Sequence, residues 1–353
     1  MIYYKYLLFL LFICLDVFAQ QDTLRINQLQ VIGSHNSYKK AIESKLYDFL
    51  KQKDSTNSIQ TLQYEHIPIP EQLDLGLRNL EIDVYADSKG GAYANPKGLE
   101  LAEPEESYDL NKVMQQPGFK MLHILDIDFR SHYYTLEACL KDLKKWSDSH
   151  PDHEPIFITL EAKDGDKNIF GTEPEQFTST LFTELDTELI KTLGKEKLIT
   201  PDDVRGQFLT LEEAVLNNNW PKLKDSKGKF LFILDDSGRK RELYIKDHPS
   251  LEGRTMFVNA NPGTPEAATL IKNNPEDTSI KTLVSKGYII RTRADSGTME
   301  ARANDYTHFE DAKNSGAQII TTDYYLPSKF FKSNYHISFK NGTYVRNNPV
   351  TTK

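Results

Sequence analysis

The sequence is poor in cysteine and carries no basic excess. Only two of its 353 residues are cysteine, Cys14 and Cys139, and 51 acidic residues outnumber 43 basic ones to give a net charge of −8. With one cysteine beyond the first twenty residues, no intramolecular disulfide can form there, so an ordinary hydrophobic core must stabilise the fold. The helical spacing of apolar residues around Cys139 places that thiol in the core. The acidic balance disfavours nucleic acid as a partner, because binding it requires a basic surface.

Linkers and long apolar runs are missing as well. No segment rich in Pro, Gly or Ser divides the chain and we find no internal repeat, which predicts one domain over residues 20–353. The apolar run Leu7–Cys14 is too short to span a bilayer. Lys5 before it and Val17-Phe18-Ala19 after it are typical of a secretory signal peptide. Residues 1–19 are therefore predicted to be cleaved, and the product to be secreted or periplasmic.

Eight short apolar segments, most of them separated by helical patterns, follow along the chain. The predicted strands are 29–32, 77–85, 121–129, 155–161, 229–234, 256–260, 288–291 and 318–322. This is the number of strands in a closed parallel barrel, so we predict an irregular TIM-like (β/α)8 barrel. An open doubly wound sheet would place a Gly-rich phosphate loop after the first strand, where Gly33-Ser34-His35 stands instead. Asn341-Gly342, within residues 335–347, predicts a C-terminal hairpin.

Oxygen-bearing side chains lie where the predicted strands end. In a barrel the carboxyl ends of the strands converge on one pocket, which would gather Asn36, Glu81, Asp83 and Glu161. One amide and three carboxylates at this density repel one another without a cation. Calcium accepts six to eight such oxygens, whereas magnesium needs fewer in stricter geometry. The pattern predicts a metal site; the alternative is that Glu81 and Asp83 are solvated residues on an outer sheet face.

Histidines recur at the same strand ends. His35 after the first strand and His123 in the third could act as general acid and base on either side of a reacting phosphorus. His132 is the rival for the second role, although it follows Arg130-Ser131 in a predicted loop. The sequence favours His123 without deciding between the two.

Further charged residues accompany the later strands. We assign four of them to substrate binding: Lys163, Arg291, Arg293 and Asp323. Arg291 and Arg293 either hold a phosphate or pair with Asp295, and the sequence leaves both readings open.

Five stretches occur in an order that is typical of one family. They are Gly33–Tyr38, Leu80–Val84, His123 with Asp126–Asp128, Ile158–Lys163 and Arg291–Asp295. Together they resemble the bacterial calcium-dependent phosphatidylinositol-specific phospholipase C family. The resemblance extends from Leu29 to about Tyr325 and implies a TIM-like barrel, in agreement with the strand count.

The resemblance also implies a reaction and a set of roles. The catalytic pair would be His35 and His123, and the calcium ligands would be Asn36, Glu81, Asp83 and Glu161. The implied reaction cleaves phosphatidylinositol to diacylglycerol and a cyclic inositol phosphate through attack of the inositol 2-hydroxyl. Whether His35 or a metal-bound carboxylate takes the hydroxyl proton is left open.

Two other functions fit parts of the pattern. Glycerophosphodiester phosphodiesterases use a similar barrel and a Glu-x-Asp pair, but usually begin with His-Arg-Gly where this chain has His35-Asn36-Ser37. A non-catalytic barrel that binds inositol phosphates or glycans would need no pair of histidines. The expected partners are an inositol phospholipid or related phosphodiester and, transiently, a membrane surface. We find no aromatic-basic helix for gripping a bilayer, and we expect a monomer.

Overall fold

Parallel strands arranged in a ring make up the centre of the molecule. The computed structural model describes residues 23–352, so the predicted signal peptide lies outside the described residues. Eight parallel strands follow one another around the sheet, and two short antiparallel strands are added to it. The strands are β1 (Leu29–Ser34), β2 (Asn79–Asp87), β3 (Gly118–Lys120), β4 (Ile156–Lys163), β5 (Phe230–Leu234), β6 (Phe257–Val258), β7 (Thr269–Ile271), β8 (Ile289–Arg293), β9 (Ile319–Thr322) and β10 (Val345–Asn347).

The order of the strands describes a nearly closed TIM-like (β/α)8 barrel, as predicted. Around the ring the order is β6, β5, β4, β2, β1, β9, β8, β7. The ends of this path meet through a single parallel bridge between Asn259 and Thr269. In the described stretch 259–268 the chain turns without forming a helix, so the barrel is irregular at this point.

Helices cover the outside of the ring and connect its other strands. They are α1 (Ser44–Lys53), α2 (Ile69–Leu75), α3 (Gly98–Leu101), α4 (Leu136–Ser149), α5 (Ser179–Leu193), α6 (Pro201–Arg205), α7 (Leu211–Leu216), α8 (Gly238–Ile245), α9 (Ser279–Ser285), α10 (Met299–Ala303) and α11 (Thr307–Ser315). Within residues 23–352, no helix is both long and apolar enough to cross a bilayer. Cys139 on α4 is buried and unpaired, as its spacing predicted.

The predicted number of barrel strands is right, but one predicted strand does not form and one strand of the barrel was not predicted. Residues 121–129, predicted as the third strand, form an irregular segment closed by a bridge between Ile124 and Asp128. β4 pairs directly with β2 in the place assigned to that segment. The strand that was not predicted is β7, whose three residues are too few to produce a recognisable apolar run.

The C-terminal hairpin prediction is also corrected. The turn at Asn341-Gly342 is present, with the Phe339 amide donating to the Thr343 carbonyl at 2.8 Å. The chain that leaves the turn forms β10, which pairs antiparallel with β1 rather than with the residues before the turn. β10 therefore pairs with the first half of β1, along the same edge that pairs with β2 further on at Gly33.

A close approach of β1 and β2 fixes the position of the chain at the end of β1. Gly33 is paired with Asn79 in the parallel register. A Cβ at position 33 would lie 2.1 Å from the Asn79 carbonyl oxygen, so only glycine allows this approach. Immediately afterwards the Ser37 amide donates to the Glu81 carbonyl at 2.8 Å. The Glu81 amide donates in return to Ser37 Oγ, also at 2.8 Å, which attaches the turn after β1 to the middle of β2.

A long insertion after β2, residues 90–118, packs beside the mouth of the barrel. Apolar side chains from this insertion, from α1 and from residues 122–129 form a hydrophobic cluster separate from the main core. The Asp126 carbonyl accepts a hydrogen bond from the Gly98 amide at 2.7 Å. This second cluster holds the irregular segment that carries His123.

Candidate active site

The carboxyl ends of five neighbouring strands bring most of the predicted site residues together. β1 and β9 are adjacent and parallel, with Ser34 level with Thr322. The next residues, His35 and Asp323, therefore meet, and His35 Nδ1 lies 2.9 Å from Asp323 Oδ1. On the other side of β1, the second ring nitrogen of His35 lies 3.4 Å from Glu81 Oε1 on β2.

His35 is held from its backbone side as well. Its carbonyl oxygen lies 2.6 Å from Nε2 of the buried His66, whose ring stacks on Tyr325. Burial, together with the positive charge of Arg293, holds the pKa of His35 well below its ordinary value. An imidazole in this environment is neutral at pH 7 and can accept a proton.

His123 reaches the same site from outside the ring. Its Nδ1 lies 2.7 Å from Asp128 Oδ2, and its carbonyl oxygen accepts a hydrogen bond from the Tyr85 hydroxyl at 3.2 Å. Tyr85 belongs to β2, so this bond ties the irregular segment to the barrel. His123 is close enough to contribute electrostatically to the pKa values of both His35 and Asp83. His132 instead directs Nε2 at the His66 carbonyl, 2.8 Å away.

The three predicted acidic ligands lie on β2 and β4, with Asp83 level with Glu161. Glu81 forms a buried ion pair with Arg291. The Lys163 ammonium lies 3.5 Å from Asp83 Oδ2 and 3.3 Å from Glu161 Oε1. A cationic side chain thus bridges two of the three carboxylates in this structure.

Among the predicted ligands, Asp83 has the least compensated carboxylate and is the best candidate to bind a cation. Both of its carboxylate oxygens are buried and accept no hydrogen bond from any described residue. Burial, followed by the negative charge of Glu161, outweighs Lys163 and raises the pKa of Asp83 to about 7. Such a carboxylate retains its full capacity to coordinate a metal ion.

Asn36 completes the predicted ligand set at the end of β1. It has a positive φ of 50°, a conformation that asparagine tolerates better than most residues. Its amide nitrogen donates to the Tyr64 hydroxyl at 2.8 Å, which leaves the side-chain oxygen available as a ligand. In residues 23–352 no three His, Cys, Asp or Glu side chains are arranged closely enough to enclose an ion. The donor chemistry fits calcium, but binding requires the Lys163 ammonium to move away from Asp83 and Glu161.

The structure separates the two predicted arginines. Arg291 is fully buried and divides its guanidinium between Glu81 and Asn273. The Nε atoms of both arginines are buried and have no hydrogen-bond partner among the described residues, but of the two only Arg291 forms a salt bridge. Asp295 pairs with neither arginine; its carboxylate accepts from the Asp323 amide at 2.9 Å and from the hydroxyl of Thr322. Arg293 is therefore the better placed of the two for an incoming phosphate.

Asp235 is a site carboxylate that the sequence analysis missed. It follows β5, and burial together with Glu81 and Glu161 raises its pKa to about 8 despite the nearby Arg291. The rule that found the other acids applies here too, since Asp235 directly follows an apolar strand. His66 gave no comparable signal, because it lies in a loop far from any predicted strand end.

Fold and site together define a barrel enzyme for phosphodiester cleavage. The family model "Phosphoinositide phospholipase C, Ca2+-dependent" matches residues 24–349. Among solved structures, the chain is similar to a calcium-dependent phosphoinositol-specific phospholipase C from Pseudomonas sp., with 18% sequence identity and a TM-score of 0.56. The match covers 93% of this chain and 97% of that one. A calcium-dependent phosphatidylinositol-specific phospholipase C from Streptomyces antibioticus gives 20% identity, a TM-score of 0.54, and coverage of 89% and 99%. Comparison with curated proteins gives no significant match.

The chain belongs to the Ca2+-dependent phosphoinositide phospholipase C family. It is accordingly a phosphodiesterase of the phosphatidylinositol-specific phospholipase C type, as the motifs indicated. The two solved structures support the barrel fold at this level of identity.

Cation binding is predicted to change stability in a pH-dependent way. Because the folded pKa of Asp83 is raised from 3.8 to about 7, its ionisation favours the unfolded state. Without a cation, stability should therefore fall as the pH rises from about 4 through 7. At pH 8, saturating calcium should stabilise the chelator-treated protein by about 2.7 kcal/mol at a hundredfold excess over Kd. The measurement is the melting temperature by circular dichroism.

Asp83→Asn provides the matched control for this measurement. In chelator the variant should show a smaller fall of stability with rising pH, because Asp235 and Asp295 still titrate with raised pKa values. It should also lose most of the calcium response. Magnesium should stabilise the wild-type protein less than calcium does, because it requires stricter octahedral geometry. A melting temperature that does not respond to calcium between pH 5 and 8 would contradict the assignment.

Proposed function

We propose that this protein is an exported calcium-dependent enzyme that cleaves phosphatidylinositol to diacylglycerol and a cyclic inositol phosphate. The observation that carries the proposal is the pair of histidines, His35 and His123. Each has Nδ1 bonded to a buried carboxylate, beside the same group of acidic side chains. Binding alone would require no such pair. Export would depend on residues 1–19, which have the pattern of a signal peptide.

The two histidines are assigned opposite roles. Asp323 accepts a hydrogen bond from Nδ1 of His35, so Nε2 is the nitrogen that takes the proton of the inositol 2-hydroxyl. As that oxygen forms its bond to phosphorus, the bond from phosphorus to the glycerol oxygen breaks. His123, as the imidazolium, donates its Nε2 proton to the departing glycerol oxygen and is left neutral with its proton on Nδ1, facing Asp128. The attacking hydroxyl is part of the substrate, so its effective concentration at phosphorus exceeds that of water.

The remaining residues orient the substrate and balance charge. Asn36, Glu81, Asp83 and Glu161 would hold calcium. When bound, calcium supplies charge that stabilises the phosphoryl oxygens in the transition state. Arg291 is paired with Glu81, whereas Arg293 forms no salt bridge among the described residues, so we assign Arg293 to a phosphoryl oxygen. Lys163, once displaced from Asp83 and Glu161, can bind the same phosphate, and Asp323 orients His35.

Contact with a bilayer is proposed through loops around the mouth of the barrel. Exposed apolar residues follow three of the strands that end there: Ile169 after β4, Met299 after β8, and Leu326 and Phe330 after β9. The last loop also carries exposed Lys329 and Lys332 beside its aromatic residues. Such a combination favours the surface of a membrane that contains anionic lipid. It provides the aromatic-basic element that the sequence analysis sought in a helix.

The first prediction from this proposal concerns the reaction. With phosphatidylinositol in mixed micelles, the wild-type protein should release diacylglycerol in calcium and lose that activity in chelator. His35→Ala and His123→Ala should each lower kcat on the order of 10²–10⁴-fold, the usual effect of losing a positioned acid or base. His132→Ala is the control and should stay within a few-fold of wild type. A severe defect in His132→Ala with a mild one in His123→Ala would reverse the assignment.

A second prediction concerns the membrane surface. Replacing Leu326 and Phe330 together by serine should weaken binding to vesicles of phosphatidylcholine and phosphatidylinositol by roughly tenfold, because two apolar side chains no longer enter the interface. Sedimentation of protein with the vesicles measures this change. Leu209→Ser is the control, since Leu209 is exposed between α6 and α7 and away from the mouth. Equal effects of the two changes would contradict the docking surface.

A further inference from the structure

A buried ion pair lies directly behind His123. We propose that Lys39 and Asp128 are positioning residues that fix the tautomer and direction of the His123 ring. This proposal rests on the function proposed above for His123. It adds two residues to which the sequence analysis gave no role.

The geometry forms a chain of three side chains. His123 Nδ1 lies 2.7 Å from Asp128 Oδ2, and the other oxygen of Asp128 lies 3.2 Å from Lys39 Nζ. The side chains of Lys39 and Asp128 are completely buried, whereas that of His123 remains 15% exposed. The three side chains thus extend from the interior to the edge of the site, and His123, the only partly exposed one, is the one that faces the substrate.

Lys39 is held rigidly in this arrangement. Its ammonium also donates to the carbonyl oxygens of Tyr64 at 2.9 Å and of Lys40 and Leu62 at 3.2 Å. It lies 4.6 Å from the centre of the Tyr64 ring, whose hydroxyl accepts from Asn36. A lysine confined by four oxygens and a ring is a fixed charge, and its placement fixes Asp128 in turn.

The local backbone explains how Asp128 comes to lie behind His123. The Ile124 and Asp128 amides and carbonyls bond to each other across a tight turn, at 3.3 and 3.0 Å. Asp126 occupies the tip with a positive φ of 74°. The turn brings residue 128 back alongside residue 123, so the irregular segment has a structural reason for not continuing as a strand.

The ion pair determines what Asp128 can do for the ring. Burial alone would raise the pKa of Asp128, but the charge of Lys39 and the hydrogen bond from His123 outweigh it and hold that pKa below its usual value. Asp128 is therefore ionised and can only accept a hydrogen bond, which places a proton on Nδ1. Nε2 is then the nitrogen left to meet the substrate, and the His123 ring lies near enough to His35, Asp83 and Asp323 to interact with them electrostatically.

The tautomer of His123 is the property to measure. Long-range ¹H–¹⁵N spectra of protein labelled at its nine histidines distinguish a proton on Nδ1 from one on Nε2, and His123→Gln identifies the signals of this residue. In the wild-type protein we expect the neutral His123 ring to carry its proton on Nδ1. A neutral His123 ring that carries its only proton on Nε2 in the wild-type protein would overturn the proposal without any further variant.

Asp128→Asn gives the sharpest test, because Lys39 dictates how the new amide must turn. The ammonium can only donate, so the amide oxygen faces Lys39 and the amide nitrogen faces His123. We expect the proton to move to Nε2 and kcat to fall at least a hundredfold, with KM changed less than threefold. In Lys39→Met/Asp128→Asn the amide is free to reverse, and we expect Nδ1 protonation and part of the activity to return.

Asp126→Asn is the matched control. It makes the same chemical change two residues away, in a carboxylate that accepts from the Lys97 amide and from Asn168 rather than from a histidine. This variant should keep the wild-type tautomer and kcat. Retention of Nδ1 protonation in folded Asp128→Asn, with kcat within threefold of wild type, would overturn the positioning role.

Failure of this inference can be told apart from failure of the proposed function. If His123→Gln cleaves phosphatidylinositol nearly as fast as the wild-type protein, the acid role of His123 is wrong. The spectra still report whether Asp128 and Lys39 set the tautomer in that case. If His123→Gln is inactive while Asp128→Asn changes neither tautomer nor kcat, the function stands and the positioning inference fails.

Discussion

Buried negative charge at the carboxyl end of the barrel is the constraint on which the rest of the site depends. Glu81, Asp83, Asp128, Asp295 and Asp323 are all nearly inaccessible to water. An ionised carboxylate in such a place is costly unless a cation or hydrogen-bond donors compensate it. Most of the unusual features of the site, including its buried lysine and arginine, are explained by this requirement.

Each carboxylate is compensated in a different way, and the differences have functional consequences. Glu81 has the permanent charge of Arg291, whereas Asp83 has Lys163 at 3.5 Å and no hydrogen bond from the described residues. Asp83 is therefore the member of the group that gains most from a metal ion. Asp83, with its incomplete pairing to Lys163, is thus the physical basis of the calcium site that we propose.

The two histidines also differ in what lies behind their carboxylates. Asp128, behind His123, is paired with the ammonium of Lys39. Asp323, behind His35, has the carboxylate of Asp295 beside it. Burial and the negative charge of Asp323 raise the pKa of Asp295 to about 7. Two similar histidine–carboxylate pairs are thus placed in electrostatically different surroundings, as an acid and a base require.

Local sequence patterns predicted the strand ends well, because an apolar run that stops at a polar residue needs no tertiary information to recognise. His35, Glu81, Asp83 and Glu161 were found in this way, and the structure brings them together. Residues 121–129 misled the same reasoning because their apolar side chains fill a cluster beside the barrel rather than a strand. β7 was missed because it is only three residues long.

Residues whose role depends on long-range contacts could not be found from the sequence. Nothing in the sequence around Lys39 gives it a role, and only the fold shows that its ammonium is enclosed by carbonyls and Asp128. His66 likewise supports His35 across 31 residues of chain.

Attack by the substrate's own hydroxyl, with His35 and His123 transferring the protons, is the central claim of this account. Phosphorus NMR of the first turnovers on phosphatidylinositol tests it most directly, because a five-membered cyclic ester gives a distinct downfield signal. We expect that signal to appear first and the inositol monoester to follow slowly from it. A monoester formed from the earliest measurable turnover, with no cyclic ester before it, would show that water attacks phosphorus and would contradict the account.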